Sequence, residues 1–235
     1  MWKYAAYILF CLQILVLLVM PAGCAEAESN TTPEPVEKAV VQLPEPQRDG
    51  GISIEQSLLR RRSVRDYSGE PLTLSEVSQL LWAAQGITDE RGFRTAPSAG
   101  GLYPLELYVV AGDVAGLPPA VYHYMPQNHR LVLVAEGDKR KELAGMALSQ
   151  SCVAEGGMSV VMTAFYTRTT GKYGERGIRY VHIEAGHAAQ NLCLQAASLD
   201  LGLVTVGAFH DEQVVGLLHL AEDEQPLYVI PVGRK

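Results

Sequence analysis

An α+β fold is predicted by three features of the sequence. Five short runs rich in β-branched and aromatic residues, Leu107 to Val110, Val121 to Tyr124, Leu131 to Val134, Ser159 to Phe165 and Leu227 to Val232, are bounded by Gly, Pro or Asn and read as strands of one sheet. Helical segments precede and separate them at Ile54 to Arg61, Thr73 to Gln85 and Gly177 to Gly202. The chain has 235 residues, 48% hydrophobic and 19% charged, enough for one full core.

At the N-terminus a single charge, Lys3, precedes an uncharged, mostly apolar run from Tyr4 to Met20, which is the pattern of an export signal or an anchor. The run ends in Ala22, Gly23 and Cys24, small residues before a cysteine, and this resembles the end of a bacterial lipoprotein box. Cys24 is then the expected lipidation site. Lys3 before the run and Glu26, Glu28 and Glu34 after it orient the rest of the chain outside the cytoplasm, tethered to the membrane by lipid or anchor. Residues 25–51, rich in Pro, Glu and Thr, read as a disordered tether. The expected division is therefore a leader at 1–24, a tether at 25–51 and one folded domain at 52–235.

A net charge of −7 excludes a nucleic-acid partner, because a phosphate backbone needs a basic face. Of four cysteines only Cys152 and Cys193 fall in the folded part, and without a CxxC pair they make neither a metal site nor a redox motif. Cys193 lies in an apolar helical stretch and reads as a buried free thiol.

Along the domain, the helix at Ile54 to Arg61 runs into RRSVR, where Arg61, Arg62, Ser63 and Arg65 suit either a phosphate dianion or a solvated basic turn. The next helix opens with Thr73 and Glu76 in capping-box spacing and closes at Gly86. TAPSAGGLYPLEL follows, from Thr95 to Leu107, with no charge before Glu106. Its adjacent glycines either make a tight turn or let the backbone lie against a flat partner. Val121 to Tyr124 and Leu131 to Val134, joined by MPQNHR, read as a hairpin with a longer loop.

The segment from Gly177 to Gly202 has apolar residues all round, the mark of a mostly buried helix. Tyr180, Glu184, His187 and Asn191 form a polar stripe along one face, and pair within the protein or face a ligand. HIEAGH is not a zinc-protease motif: His182 and His187 are five residues apart, about 140° around a helix. Ser98 is not in a GxSxG elbow, and no P-loop or GxGxxG follows a strand. Gly207 and Ala208 leave backbone amides open after a strand, and the chain closes on PVGRK, which adds Arg234 as a further cation.

RRSVR, PSAGGLYPLELYVV, KYGERGIRYVHIEAGHAAQNLCLQAASLDLGL, VGAF and PVGR, in this order, resemble the FMN-dependent nitroreductase superfamily, and within it the SagB-type oxidoreductases. The resemblance covers Ile52 to Arg234. It implies an α+β sandwich with a mainly antiparallel sheet flanked by helices, forming an intertwined homodimer with FMN at the interface. It further implies that Arg61, Arg62, Ser63 and Arg65 hold the phosphate and ribityl end, with Arg234 as a terminal phosphate contact. Pro97, Ser98 and Gly100 would lie along the pyrimidine side, and Gly207 and Ala208 would donate near the ring. Lys172 and Tyr173 resemble the lysine-tyrosine pair of azoline oxidases, where it serves proton abstraction; a solvated loop is the alternative. The implied activity is ping-pong hydride transfer at flavin N5 to or from a small-molecule or peptide substrate, with NADH or NADPH as electron donor. Azoline oxidation in peptide tailoring and a flavin-fold binding module without turnover are the alternatives. Gly101, Leu102, Tyr103 and Pro104 stand where many nitroreductases carry Asn-x-Gln-Pro, so no nitroaromatic substrate is implied.

Overall fold

The computed structural model describes residues 39–235. The expected leader, Cys24 and the first part of the tether lie outside the described residues. The elements follow in the order β1 (Val40–Gln42), α1 (Ile54–Arg60), β2 (Leu72–Thr73), α2 (Leu74–Gln85), β3 (Leu105–Ala111), β4 (Val114–Ala115), β5 (Ala120–Met125), β6 (Arg130–Glu136), α3 (Arg140–Met146), α4 (Ser151–Glu155), β7 (Met158–Phe165), α5 (Tyr166–Tyr173), α6 (Arg176–Ser198), β8 (Leu201–Leu203), α7 (Asp211–Leu218) and β9 (Glu224–Arg234). Seven strands form one sheet in the order β1-β6-β5-β3-β7-β9-β8, every neighbouring pair antiparallel. β2 and β4 make a separate parallel pair. The fold is α+β with an antiparallel main sheet flanked by helices.

Both faces of the sheet are covered, which explains why β3 and β7 are buried at nearly every position rather than at alternate ones. On β3, Leu105, Leu107, Val109 and Ala111 join the core beneath α2 and α6, while Tyr108 and Val110 join the core beneath α3, α4 and α7. The predicted capping box of α2 is present: Glu76 N–H donates to Thr73 Oγ1 at 3.2 Å and Thr73 N–H to Glu76 Oε2 at 2.8 Å. The β5/β6 hairpin forms as expected, with His129 at φ 45° closing its turn.

Residues ahead of Gly51 also pack on the domain. Val40–Gln42 adds to the edge of β6, and Leu43 is buried at 3% exposure. Gln47 N–H donates to Gln79 Oε1 at 2.8 Å, and Gln79 Nε2 donates back to Gln47 O at 3.0 Å. A three-residue edge strand leaves too short an apolar signal to stand out from its Pro- and Glu-rich flanks.

Helix α6 ends at Ser198, four residues short of the predicted Gly202, because Asp200 turns left-handed (φ 56°) and sends the chain into β8. Val181, Ala185, Ala188, Ala189, Leu192 and Ala196 are buried in the domain's own core, whereas Ile178 and Ile183 remain exposed. The predicted strands and long helices are found where expected, and β8 is the short strand expected ahead of Gly207; α3, α4, α5, α7, β1, β2 and β4 were not predicted. Of these, α5 reads YTRTTGKY, and it places Lys172 and Tyr173 in the last turn of a helix, whereas a solvated loop was one of the two readings.

Candidate functional site

After α1 the chain lies along β8, with Val64 N–H donating to Leu203 O at 2.9 Å and Ser63 bridged to Leu203. This close approach needs Gly202, where a Cβ would fall 2.7 Å from Val64 Cγ1. Arg61 and Ser63 open onto a cavity of about 180 Å³ walled by Gly186, Ala189, Gln190, Cys193, Leu203, Val204, Thr205 and Tyr228. No carboxylate lines it, and among the described residues neither Arg61 nor Arg65 makes an ion pair. Cys193 is thus not fully buried as predicted but stands on the cavity wall, its thiol pushed up in pKa by burial against the opposing pull of Arg61. Val206 is locked to Val229, leaving Gly207 and Ala208 exposed with N–H groups that no described residue accepts. Gln150 Nε2 donates to Ala208 O at 3.4 Å, and the Arg65 charge acts on the neighbouring Cys152, which brings α4, Arg65 and the 207–208 amides to one side.

The second group of predicted residues surrounds the 95–104 loop. Gly100 and Gly101 both take φ 67°, the left-handed region that favours glycine. Tyr103 does so as well (φ 46°), and its strain is held from four directions. Its N–H donates to Ser98 Oγ at 2.8 Å, its Oη accepts from Arg94 N–H at 3.2 Å, the Arg94 guanidinium lies 4.6 Å over its ring, and its carbonyl accepts from Arg168 at 3.1 Å. Arg168 also pairs with Glu106 at 2.6 Å, pinning α5 to β3 and to the loop. Glu106 in turn meets His123 at 2.9 Å.

That pinning sets the place of Lys172 and Tyr173. A Cβ added at Gly100 would stand 2.8 Å from Tyr173 Oη and 2.9 Å from Lys172 Nζ, so both polar ends converge over this glycine. Tyr173 also rests edge-on against Tyr180 of α6, ring centres 5.2 Å apart. The polar stripe of α6 faces the same loop: Asn191 Nδ2 donates to Thr95 O at 3.4 Å, and Glu184 lies buried beside Ser98. Burial pushes the Glu184 carboxyl up to about 7, with Ser98 and Arg94 pulling the other way.

Two predicted cofactor residues are not brought to either group. Arg62 Nη1 donates to Leu59 O at 3.0 Å and to Arg61 O at 2.7 Å, which caps the end of α1. Arg234 Nη2 lies 3.0 Å from Glu76 Oε2 and 3.3 Å from Pro71 O, so its charge is spent on the capping box of α2. Position 234 pairs with Leu201, two residues along β8 from the Leu203 that carries Ser63, and this sends the side chain elsewhere.

The two groups also lie on opposite faces of α6. At 100° per residue, Glu184 and Asn191 are about 20° apart, while Gly186, Ala189, Gln190 and Cys193 on the cavity wall are roughly 140–240° away from Glu184. A larger cavity, about 400 Å³, lies between segment 47–52, α1, α2 and α6, and meets the loop only at Thr95. Among the described residues no cluster of His, Cys, Asp or Glu is arranged to hold a metal, and no helix is long and apolar enough to cross a membrane.

A family model described as the nitroreductase family matches residues 58–234, from α1 through the last residue of β9. The chain belongs to the nitroreductase family. It is 49% identical over 195 residues to a protein of Methanocaldococcus jannaschii named a nitroreductase, covering 83% of this chain and 96% of that one. A crystal structure of a nitroreductase from Ralstonia eutropha JMP134 has TM-score 0.74 and 31% identity, over 86% of this chain and 91% of the other. A trifolitoxin operon protein of Rhizobium leguminosarum bv. trifolii is 28% identical over 224 residues, 86% of this chain but 63% of that protein. As a nitroreductase-family member the chain is an oxidoreductase by descent. The features that sequence reading missed are Arg94, Arg168 and Glu106: single charged residues in unremarkable contexts, whose link to the loop exists only in the fold.

Proposed function

We propose that this protein is an FMN-dependent oxidoreductase of the SagB type. The observation that carries the reading is the carboxylate-free cavity at Arg61 and Ser63 beside the unused amides of Gly207 and Ala208. Cationic and hydroxyl donors with no competing acid are the donor set a phosphate ester requires. Two adjacent N–H groups left without protein acceptors suit a polar ring edge. A bound flavin would supply the hydride acceptor and donor. The chain's own residues do the rest. Arg61 and Ser63 hold the phosphate, Arg65 places a positive charge near the 207–208 amides, and the 97–101 loop offers a flat, uncharged surface.

One chain presents the loop and the cavity on opposite faces of α6, so a single flavin reaches both only when two copies contribute. The exposed Ile54, Leu58 and Leu59 of α1 with Ile178 and Ile183 of α6 supply an apolar surface for that pairing, which supports the homodimer. Lys172 and Tyr173 then act as the acid-base pair, their polar ends already converged over Gly100. The substrate, a small molecule or a peptide, and NADH or NADPH use the cleft in turn. Export and lipid tethering at Cys24 belong to the same proposal and rest on the sequence of the leader.

A second reading, azoline oxidation in peptide tailoring, is favoured by the placement of Lys172 and Tyr173 and by likeness to the trifolitoxin operon protein. Both readings need the flavin, and a module without turnover needs no acid-base pair. The test is to purify the protein without its leader, record its visible spectrum and titrate FMN. A yellow protein, with Arg61→Ala weakening FMN by about 1.5–3 kcal/mol, is expected. A colourless protein with no spectral shift on FMN addition would overturn the assignment. Turnover lost in Lys172→Ala and Tyr173→Phe with FMN retained separates the enzyme from the module.

A further inference from the structure

Glu184 is 2% exposed in the middle of α6, and its Oε1 has no hydrogen-bond partner among the described residues. It stands on the helix face that meets the 95–101 loop, two turns before the Asn191 contact to Thr95 O. The group beside it is the Ser98 hydroxyl. That hydroxyl's oxygen already accepts Tyr103 N–H, so its proton is free to be given toward the carboxyl. A dry carboxyl with one oxygen unsatisfied is costly as an anion, and the cost rises with every water removed around it.

We propose that Glu184 is a proton-holding positioning residue behind the loop, acting through Ser98 on whatever planar ligand covers Pro97 to Gly101, and that it takes up a proton when the ligand binds. The inference rests on the flavin reading for the identity of that ligand. Covering the loop excludes the last solvent near the carboxyl, so its neutral form gains at the expense of its anion. The protonated acid leaves Ser98 and the loop uncharged at the ligand edge, where a buried anion would repel electron-rich carbonyl oxygens.

Other charged or titratable groups on the surrounding elements are Arg94 and Tyr103 of the loop, Glu106 of β3, Arg168, Lys172 and Tyr173 of α5, and Tyr180 and His187 of α6 itself. Arg94 acts directly on Glu184 and favours its anion. His187 lies exposed one turn further along α6 and serves as the control position.

The experiment measures riboflavin and FMN affinity of the purified protein by fluorescence quenching from pH 5.5 to 8.5. Riboflavin is included because it lacks the phosphate, whose second ionisation near pH 6 would overlay the signal. Wild-type affinity for riboflavin should fall as pH rises through about 7, about tenfold for each unit by which the ligand raises the carboxyl's pKa. Glu184→Gln should flatten the profile, and His187→Gln should leave it as in wild type. Should Glu184→Gln fail to fold, calorimetry of the wild type at pH 7 in two buffers of different ionisation enthalpy reads the proton directly. Net uptake supports the proposal, and no uptake overturns it. Flavin binding with the same slope in wild type and Glu184→Gln overturns the role of Glu184 and leaves the cofactor standing. No flavin binding at any pH takes both down.

Discussion

Replacing Gly100 with alanine separates stability from chemistry at one atom. The new Cβ would lie 2.8 Å from Tyr173 Oη and 2.9 Å from Lys172 Nζ, and the residue would keep φ 67°. A left-handed conformation costs an L-residue roughly 1–2 kcal/mol. The steric part is small, because the atoms met are the far ends of two flexible side chains rather than backbone. For a domain of this size each kcal/mol lowers Tm by about 2–4 °C, so the total shift should stay within about 2–8 °C. Both polar ends must nevertheless move by several tenths of an ångström or swing away, and a misplacement on the order of 1 Å can cost about a hundredfold in rate. The assay pairs thermal unfolding of the FMN-loaded protein with steady-state NADH or NADPH oxidation. A modest Tm loss with kcat down at least tenfold is expected, matching Lys172→Ala and Tyr173→Phe. Unchanged kcat in Gly100→Ala would refute the idea that the pair works over this glycine.

Three further outcomes follow from the same geometry. Arg234→Ala should lower stability by about 1 kcal/mol through its partly buried pair with Glu76, yet leave FMN affinity within twofold of wild type; a loss as large as that of Arg61→Ala would support the phosphate role read from the sequence. Ile183→Asp, on the exposed face of α6, should give a folded monomer with weak FMN binding, read by light scattering and flavin titration. Glu184 ties stability to pH. Its folded pKa of about 7 lies above the unfolded value of 4.5, so its contribution is complete below pH 4.5 and is lost as pH rises through about 7. The loss amounts to roughly 3 kcal/mol above that point, from about 1.4 kcal/mol per unit. Urea midpoints should therefore fall between pH 5 and 8 in wild type, and fall less in Glu184→Gln.

The sheet and the two long helices were legible because their signals are local. Thr73 and Glu76 sit three apart, and β3 and β7 carry the clusters Leu107 to Val110 and Val160 to Met162 of apolar, β-branched and aromatic residues. The β1 edge was not legible, since pairing with β6 across some ninety positions supplies its stability and VVQL alone does not. The site divides in the same way. Arg61, Ser63, Ser98 and Gly100 were singled out from residue types in short motifs. The contact of Arg234 was not legible, because a terminal arginine after a strand carries no record of which carboxylate waits for it; Glu76 lies 158 positions away. The same holds in reverse for Arg168, whose contacts to Glu106 and Tyr103 O join segments more than sixty residues apart.

The separation of loop and cavity by the body of α6 bears on inheritance as well as chemistry. If every working cleft draws Arg61 from one copy and the 97–101 loop from the other, two defective alleles can rescue each other. A chain carrying Arg61→Ala and a chain carrying Gly100→Ala, mixed in equal amounts and paired at random, form hybrid pairs half of the time. In each hybrid one cleft collects both lesions and the other collects neither, so about a quarter of all clefts regain the native set. Two alleles with lesions on the same face of the helix would share their damage in every pairing and recover nothing.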